Sequence, residues 1–206
     1  MRLHRIFWLG LALTLSACVN LDLGGGKDPK TIVYYVLEDG GRTSAPAASQ
    51  APRSLILADT MAGAFYDTDG MVFSREAGTR GHYRFARWSE RTGKRFSDML
   101  LARLERERVF GAVAQSGTNV RGDWILTSDI IEFYHDAISR PGNVRMELRA
   151  EVVDLKTRKL LSRKTFVQSV AVQSFDAAGA HKAFNRAATL MLDDIADWLK
   201  ELASTP

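Results

Sequence analysis

The chain has 206 residues, with 28 lysines and arginines against 24 aspartates and glutamates, so its formal charge at neutral pH is +4. This length corresponds to one domain that can bury a hydrophobic core, and we expect no second domain. The charge is too mild for a nucleic-acid-binding surface, so we expect no nucleic-acid partner. With one cysteine the chain cannot form an internal disulfide, which excludes the disulfide-stapled class of secreted domains.

The N-terminus has the parts of a bacterial export signal. Arg2 and Arg5 form a charged start, and residues 6–15 form an apolar stretch. This stretch is about ten residues long, whereas a membrane-spanning helix needs about 20, so it predicts a cleaved signal and not a permanent anchor. The motif Leu15-Ser16-Ala17-Cys18 resembles the lipobox of bacterial lipoproteins. We therefore expect residues 1–17 to be a signal peptide, cut between Ala17 and Cys18.

Cys18 is then the first residue of the mature protein and carries lipid. The alternative is an ordinary signal peptide followed by an incidental cysteine. A lone thiol in an oxidising compartment is reactive unless it is modified, and this favours lipidation. Residues 18–30 are predicted to be the lipidated cysteine and a flexible tether, because Gly24-Gly25-Gly26 lies in a segment without apolar periodicity.

The residue after the cysteine bears on the membrane to which the protein is sorted. By resemblance to lipoprotein sorting signals, an aspartate there would favour the inner membrane, and this chain has Val19. We therefore expect a lipid-anchored protein on the periplasmic face of the outer membrane.

The first half of the domain is predicted to be mainly β-structure. Residues 31–37 and 54–60 are rich in β-branched, aromatic and aliphatic side chains and predict two strands. Residues 71–76 and 82–88 predict a hairpin, with a turn rich in glycine between them. Residues 39–53 form a loop of small residues.

The second half alternates between helical and extended patterns. Residues 94–109 have apolar side chains at helical spacing, with Thr92 expected to cap the helix and Gly111 to end it. Residues 124–172 predict a three-stranded antiparallel meander, in which 144–152 alternate strictly between apolar and charged side chains.

Residues 176–203 predict a long final helix with one apolar stripe, which packs on the sheet. The alternatives for that stripe are a partner helix or a membrane surface. The fold class is therefore α+β: residues 31–206 form a single domain, a mostly antiparallel sheet with a middle helix and a long C-terminal helix packed on it.

Motifs for catalysis and cofactor binding are incomplete. Asp67-Thr68-Asp69-Gly70 resembles the start of a calcium loop, but the glycine is fourth and the twelfth position is Gly78. His82, His135 and His181 are the candidate acids and bases, and none lies in a recognised catalytic motif. We expect no enzymatic activity, no metal site and no cofactor.

Residues 75–95 are denser in cations than the rest of the chain, with aromatic side chains between them. Such a segment could contact lipid headgroups or an acidic protein face. Its candidate contact residues are Arg84, Arg87, Trp88 and Arg91. The alternative is a solvated face of the hairpin.

The order and spacing of several short motifs resemble one family. These motifs are Tyr34-Tyr35-Val36-Leu37, Met71-Val72-Phe73-Ser74-Arg75, Trp88-Ser89-Glu90, Trp124-Ile125-Leu126, Ile131-Glu132-Phe133 and Ile195-Ala196-Asp197-Trp198-Leu199. They are similar to those of the ABC-type transport auxiliary lipoproteins, the PqiC-like family. The family commonly has a proline shortly after the tryptophan, where this chain has Arg91-Thr92-Gly93.

The resemblance implies a non-catalytic lipoprotein component of an MCE-type intermembrane transport system. Its implied partners are an MCE-domain protein and the permease and ATPase of an ABC transporter, and its cargo is a lipid or another hydrophobic molecule. A homo-oligomer is also implied, with the charged strand face at residues 145–151 as a candidate interface. Two alternatives stay open: a lipoprotein that assists lipopolysaccharide assembly in the outer membrane, and a periplasmic hydrolase.

Overall fold

The computed structural model of the chain describes residues 31–42 and 51–204. The signal peptide, Cys18 and the tether lie outside the described residues, as does most of the predicted loop at 39–53. From Ile32 onward the described residues belong to one compact unit.

Nine strands and two helices make up the described part of the chain. In chain order they are β1 Val33–Tyr35, β2 Ala51–Leu57, β3 Met61–Ala62, β4 Gly70–Ser74, β5 Gly81–Trp88, α1 Thr92–Glu107, β6 Phe110–Gln115, β7 Trp124–Asp136, β8 Asn143–Asp154, β9 Leu160–Ala171 and α2 Ala177–Ser204.

The 13-residue strand β7 organises the sheet. One edge of β7 pairs along its whole length with β8, which in turn pairs with β9, and both pairings are antiparallel. The other edge is covered by three short parallel strands in succession: β2 beside residues 124–126, β3 beside 129–130 and β4 beside 135–136. Beyond them, β6 pairs with β2 and β1 pairs with β5, again in parallel.

Alternation along β8 separates the two faces of the meander. Val144, Met146, Leu148, Ala150 and Val152 are buried, and the arginines and glutamates between them face outward. The buried side chains pack against α2, which lies across β8 and β9. This confirms both the predicted meander and the predicted packing of the final helix.

Helix α2 begins where a side chain caps it. The Asp176 carboxylate accepts a hydrogen bond from the Gly179 N–H at 2.7 Å, which satisfies one of the free N–H groups of the first turn. Gly179 is needed for this turn, since a Cβ there would lie 2.3 Å from the Ser174 carbonyl oxygen. The buried stripe of α2 includes Phe184, Met191 and Ile195, as the spacing predicts.

Helix α1 differs from the prediction at both ends. Arg91 occupies the N-cap position without a side-chain cap, and the Thr92 hydroxyl instead donates to the Tyr66 carbonyl at 2.6 Å. The helix ends at Glu107, and the C-cap residue Arg108 adopts the left-handed conformation with φ of 52°. Gly111 therefore lies in the next strand, β6, and does not end the helix.

The α+β fold class is confirmed, with a mixed sheet in which the long strands are antiparallel. The 70–74 and 81–88 hairpin is antiparallel as predicted. Strands β3 and β6 are additions to the sequence-based prediction. An aromatic group at the centre of the core joins sheet to helix, because Phe133 lies 5.7 Å from Trp88 and 4.5 Å from Phe184 between ring centroids.

Candidate functional site

A buried ion network holds the segment after β1 against both helices. Arg103 of α1 has no exposed side-chain surface, and its guanidinium contacts the carboxylates of Asp39, Asp193 and Glu107. The Nε atom donates to Asp39 at 2.9 Å and Nη1 donates to Glu107 at 3.3 Å. One arginine therefore joins the segment at 37–42 to α1 and α2.

Three further cations complete the network. Arg42 donates to both carboxylate oxygens of Asp197 at 2.8 and 2.9 Å and to Asp193 at 3.1 Å. Lys200 contacts Glu107 at 2.6 Å, and Arg106 contacts Asp39 at 3.0 Å. Each buried carboxylate thus has at least one cationic partner, as burial of charge requires.

The pKa values of the carboxyl groups follow from these contacts. Burial alone raises the pKa of Asp39, but hydrogen bonds from Arg103, the Gly41 N–H and Arg106 outweigh it and lower the pKa below its ordinary value. The hydrogen bonds from Arg42 lower the pKa of Asp197. Asp39 and Asp197 are therefore ionised at neutral pH.

Backbone hydrogen bonds fasten the same segment. The Glu38 N–H donates to the Asn185 side-chain oxygen at 3.2 Å, and the Gly40 N–H donates to the Thr189 hydroxyl at 2.8 Å. Arg95 of α1 donates to the Leu37 carbonyl at 2.7 Å. The chain is thus fixed to the helices within a few residues of the predicted tether.

An open cleft of about 660 Å³ lies between this segment and the two helices. Its walls carry the acidic residues Glu38 and Asp98 and the basic residues Arg95 and Arg186. Asp98 is paired with Lys94, and Arg95 is bound to a carbonyl. The cleft therefore has no uniform charge that would select an ionic ligand.

The predicted acid and base candidates do not come together. His135 is fully buried, with Nδ1 2.6 Å from the Tyr83 hydroxyl and Nε2 2.8 Å from the Pro141 carbonyl oxygen. Because a carbonyl can only accept, Nε2 carries the proton and Nδ1 accepts from Tyr83. Burial lowers the pKa of His135 and raises that of Tyr83 to about 12.

The other two histidines in the described residues are also held by structural contacts. His82 stacks on Phe65 at 4.8 Å between ring centroids and covers Gly70, where a Cβ would lie 2.2 Å from its ring. His181 donates from Nε2 to the Val36 carbonyl at 2.8 Å. Within residues 31–42 and 51–204, no group of three histidine, cysteine or acidic side chains is arranged to hold a metal ion.

Part of the basic segment at 75–95 is paired with other groups of the fold. Arg91 pairs with Asp67 at 3.0 Å, and Arg80 pairs with Glu132 at 2.8 Å. Arg87 donates to the carbonyls of Tyr83 and Ala86 at 2.7 and 3.0 Å.

The predicted contact residues differ in how far they are exposed. Arg84 is exposed and lies over the Phe85 ring at 5.1 Å. Trp88 is 2% exposed, so the prediction of a surface contact is wrong for this residue. Its ring faces the helices because every second residue at the end of β5, Ala86 and then Trp88, points into the core.

The outward face of the meander, which the sequence predicts as a candidate interface, is covered by paired charges. Arg145 contacts Glu147 at 2.8 Å, and Arg149 contacts Asp129 on β7 at 3.0 Å. Arg163 on β9 contacts Glu151 at 2.7 Å. The face is charged and close to neutral, and both Arg145 and Arg149 are about half exposed.

The buried network is the feature that sequence reasoning missed. Arg103 and Glu107 are spaced four apart, which is the spacing of an ion pair on one helix face. That face is the one turned to α2 and the 37–42 segment. A sequence signal was therefore present for the pair, but not for its partners on other elements.

Neither helix in the described part of the chain is both long and apolar enough to cross a bilayer.

Several solved structures have the same fold. XCC0632 from Xanthomonas campestris, of the DUF330 family, superposes with a TM-score of 0.76 at 22% identity, over 82% of this chain and 95% of that one. A second crystal structure, of an uncharacterized protein, gives 0.65 at 15% identity, over 82% of this chain and 99% of the other. The hypothetical protein CT253 from Chlamydia trachomatis gives 0.50 at 8% identity, over 75% of this chain and 99% of that one. These similarities show the fold alone.

No curated protein matches the chain. The model of the ABC-type transport auxiliary lipoprotein component matches residues 35–196, which run from the last residue of β1 to Ala196 of α2 and so include β2 to β9, helix α1 and most of the buried network. The chain therefore belongs to the ABC-type transport auxiliary lipoprotein family, whose members are membrane-anchored proteins that serve an ABC transporter.

Proposed function

We propose that the protein is an outer-membrane lipoprotein that docks an MCE-domain protein and its ABC transporter for transport of lipids or other hydrophobic molecules between the two membranes. The family match carries this proposal. It describes a lipoprotein, and Cys18 is the only cysteine in the chain to which lipid could be attached. Multiple acyl chains on Cys18 would hold the protein firmly, whereas one gives only marginal attachment.

A docking role without catalysis is supported by the histidines and ion pairs of the described residues. His135 is enclosed in the core, His82 stacks on Phe65, and His181 is bound to the Val36 carbonyl. The largest group of charges, around Arg103, serves to fasten chain segments together. We therefore propose that the protein acts by holding partners in place.

Replacing Cys18 tests the anchor. We expect Cys18→Ser to abolish lipid labelling and to move the protein from the outer-membrane fraction to the periplasmic fraction. The control is the parent protein fractionated in parallel on the same density gradient. Continued acylation or membrane retention of the variant would contradict the anchor.

Affinity capture of the native protein from detergent-solubilised envelopes tests the partners. We expect recovery of an MCE-domain protein together with the permease and ATPase, and deletion of the gene should sensitise cells to hydrophobic agents. Recovery of lipopolysaccharide-assembly proteins instead would contradict the transport role. Substrate turnover that is lost in a His135 or His82 variant would contradict the absence of catalysis.

Charge reversal on the outward meander face tests whether that face is the docking surface. Arg145→Glu combined with Arg149→Glu should reduce recovery of the MCE-domain protein, because both side chains are about half exposed and both lie on this face. Lys182→Glu, on the exposed side of α2, is the matched control and should leave recovery unchanged. Equal recovery with both variants would assign docking to another surface.

A further inference from the structure

Strand β1 presents apolar side chains to solvent on the face of the sheet opposite the helices. Tyr35 packs on the core and lies 4.9 Å from the His181 ring, so β1 turns this side to α2. Alternation along an extended chain then directs Ile32, Tyr34 and Val36 to the other face. Their exposed fractions are 43%, 62% and 41%. We call Ile32, Tyr34 and Val36 the outer strip.

The outer strip lies at an unpaired edge of the sheet. β1 pairs only with β5 in the described residues, and its register sets Tyr34 beside Arg87. Exposed edge strands rich in apolar residues are usually covered by another surface, since they otherwise favour aggregation. We therefore expect another surface to cover the outer strip.

The position of the outer strip in the chain indicates which surface covers it. Only 12 residues separate Cys18 from Thr31, and the strip begins at the next residue. Even fully extended, 12 residues reach at most about 40 Å. A lipid on Cys18 would thus keep this end of the domain next to the bilayer.

The chemistry of the strip matches the interfacial layer of a bilayer. Tyrosine is enriched at that depth, where its ring is among acyl chains and its hydroxyl is in water. Arg87 on β5, in register with Tyr34, has no carboxylate partner among the described residues and can meet anionic headgroups. After Val36 the apolar surface of the strip stops, because the next alternate residue is the exposed Glu38.

We propose that the outer strip rests on the membrane that holds the lipid of Cys18, so that β1 is a second membrane contact beside the anchor. This inference rests on the proposed lipidation of Cys18. The contact orients the domain: the side bearing β1 faces the bilayer, and the opposite edge, at β9, points away from it.

Site-directed spin labelling of the full lipidated protein tests the contact. Because lipid occupies Cys18, Tyr34→Cys supplies the single free thiol, and Thr165→Cys, on the outward face of β9, is the matched control. The labelled proteins are reconstituted into vesicles of phosphatidylethanolamine and phosphatidylglycerol. We expect the label at position 34 to be accessible to oxygen and protected from an aqueous nickel complex, and the label at 165 to show the reverse.

A charged strip should abolish the contact while leaving the anchor. Adding Ile32→Asp and Val36→Asp to the labelled protein should expose the label at 34 to the nickel complex, although the protein still pellets with vesicles. Far-UV circular dichroism and the melting temperature check that each variant is folded. A spin label on Ile32→Cys, in a protein that keeps Tyr34, repeats the accessibility measurement without changing that tyrosine.

The outcomes separate the anchor from the strip. A protein that does not pellet with vesicles contradicts lipidation of Cys18 and, with it, the membrane contact. A protein that pellets but leaves position 34 open to the nickel complex contradicts only the contact. Protection at position 34 that occurs only when the transporter complex is added would assign the strip to a protein partner and overturn the proposal.

Discussion

The buried network gives the sharpest stability prediction, through the change Arg103→Met. Methionine fills much of the same volume but leaves three carboxylates without their shared guanidinium. Removing one partner of a buried ion pair costs about 3–5 kcal/mol. Each of the three carboxylates keeps another cation. We therefore expect the lower end, about 3 kcal/mol.

The assay is thermal unfolding of the protein, followed by far-UV circular dichroism at pH 7. For a domain of this size 1 kcal/mol corresponds to about 2–4 °C in Tm, so Arg103→Met should lower Tm by about 6–12 °C. Arg42→Met is the matched control. Its side chain is 23% exposed and its main partner Asp197 is 53% exposed, so we expect a loss of about 1 kcal/mol or less. Equal losses for the two variants would refute the assignment of Arg103 as the centre of the network.

The pH dependence gives a second measure of the same network. Because the pKa of Asp39 is lower in the folded state than its ordinary value of 3.8, the unfolded state takes up the proton first as pH falls. This part of the stability is present above pH 3.8 and is lost as pH falls through the folded-state pKa. Arg103→Met should lose less stability over that window than the parent protein, whereas an unchanged acid dependence would count against the cause assigned to the shift.

Two further predictions concern single groups. Because burial lowers the pKa of His135 below 6.5, unfolding takes up a proton and the free energy of unfolding should fall as pH drops below 6.5. Urea titrations at pH 7 and pH 5 should show a smaller fall in His135→Asn than in the control His82→Asn. An identical fall in both variants would refute the role assigned to His135. Asp176→Ala should lower the free energy of unfolding by about 1 kcal/mol through loss of the cap on α2. Asp176→Asn should keep most of that free energy, because asparagine caps equally well. An equal loss in both variants would show that the carboxylate acts in some other way.

Elements whose burial pattern is local were predictable from the sequence. Strand β8 alternates because one face packs on α2 and the other meets water, and α2 has a stripe because only one of its faces is buried. Strands β3 and β6 were not predictable. β3 has two residues, and β6 is a short run of mixed small and apolar residues directly after α1.

Features that depend on distant residues left little trace in the local pattern. The parallel pairings of β2, β3 and β4 with β7 join segments far apart in sequence. Trp88 lies among cations in the sequence, yet the register of β5 turns it into the core. The network around Arg103 likewise needs residues 39, 107 and 193 to meet, which only the tertiary fold brings about.

The dependence of the early strands on β7 has a consequence for the order of folding. A chain emerges from synthesis or export with its N-terminus first. Strands β2, β3 and β4 then appear before residues 124–136, on which all three pair. The hairpins of β7, β8 and β9 need only nearby residues and can form as soon as they emerge. Strands β2, β3 and β4 must therefore wait for the second half before they can join β7, and until then only the pairings of β4 with β5 and of β2 with β6 can form.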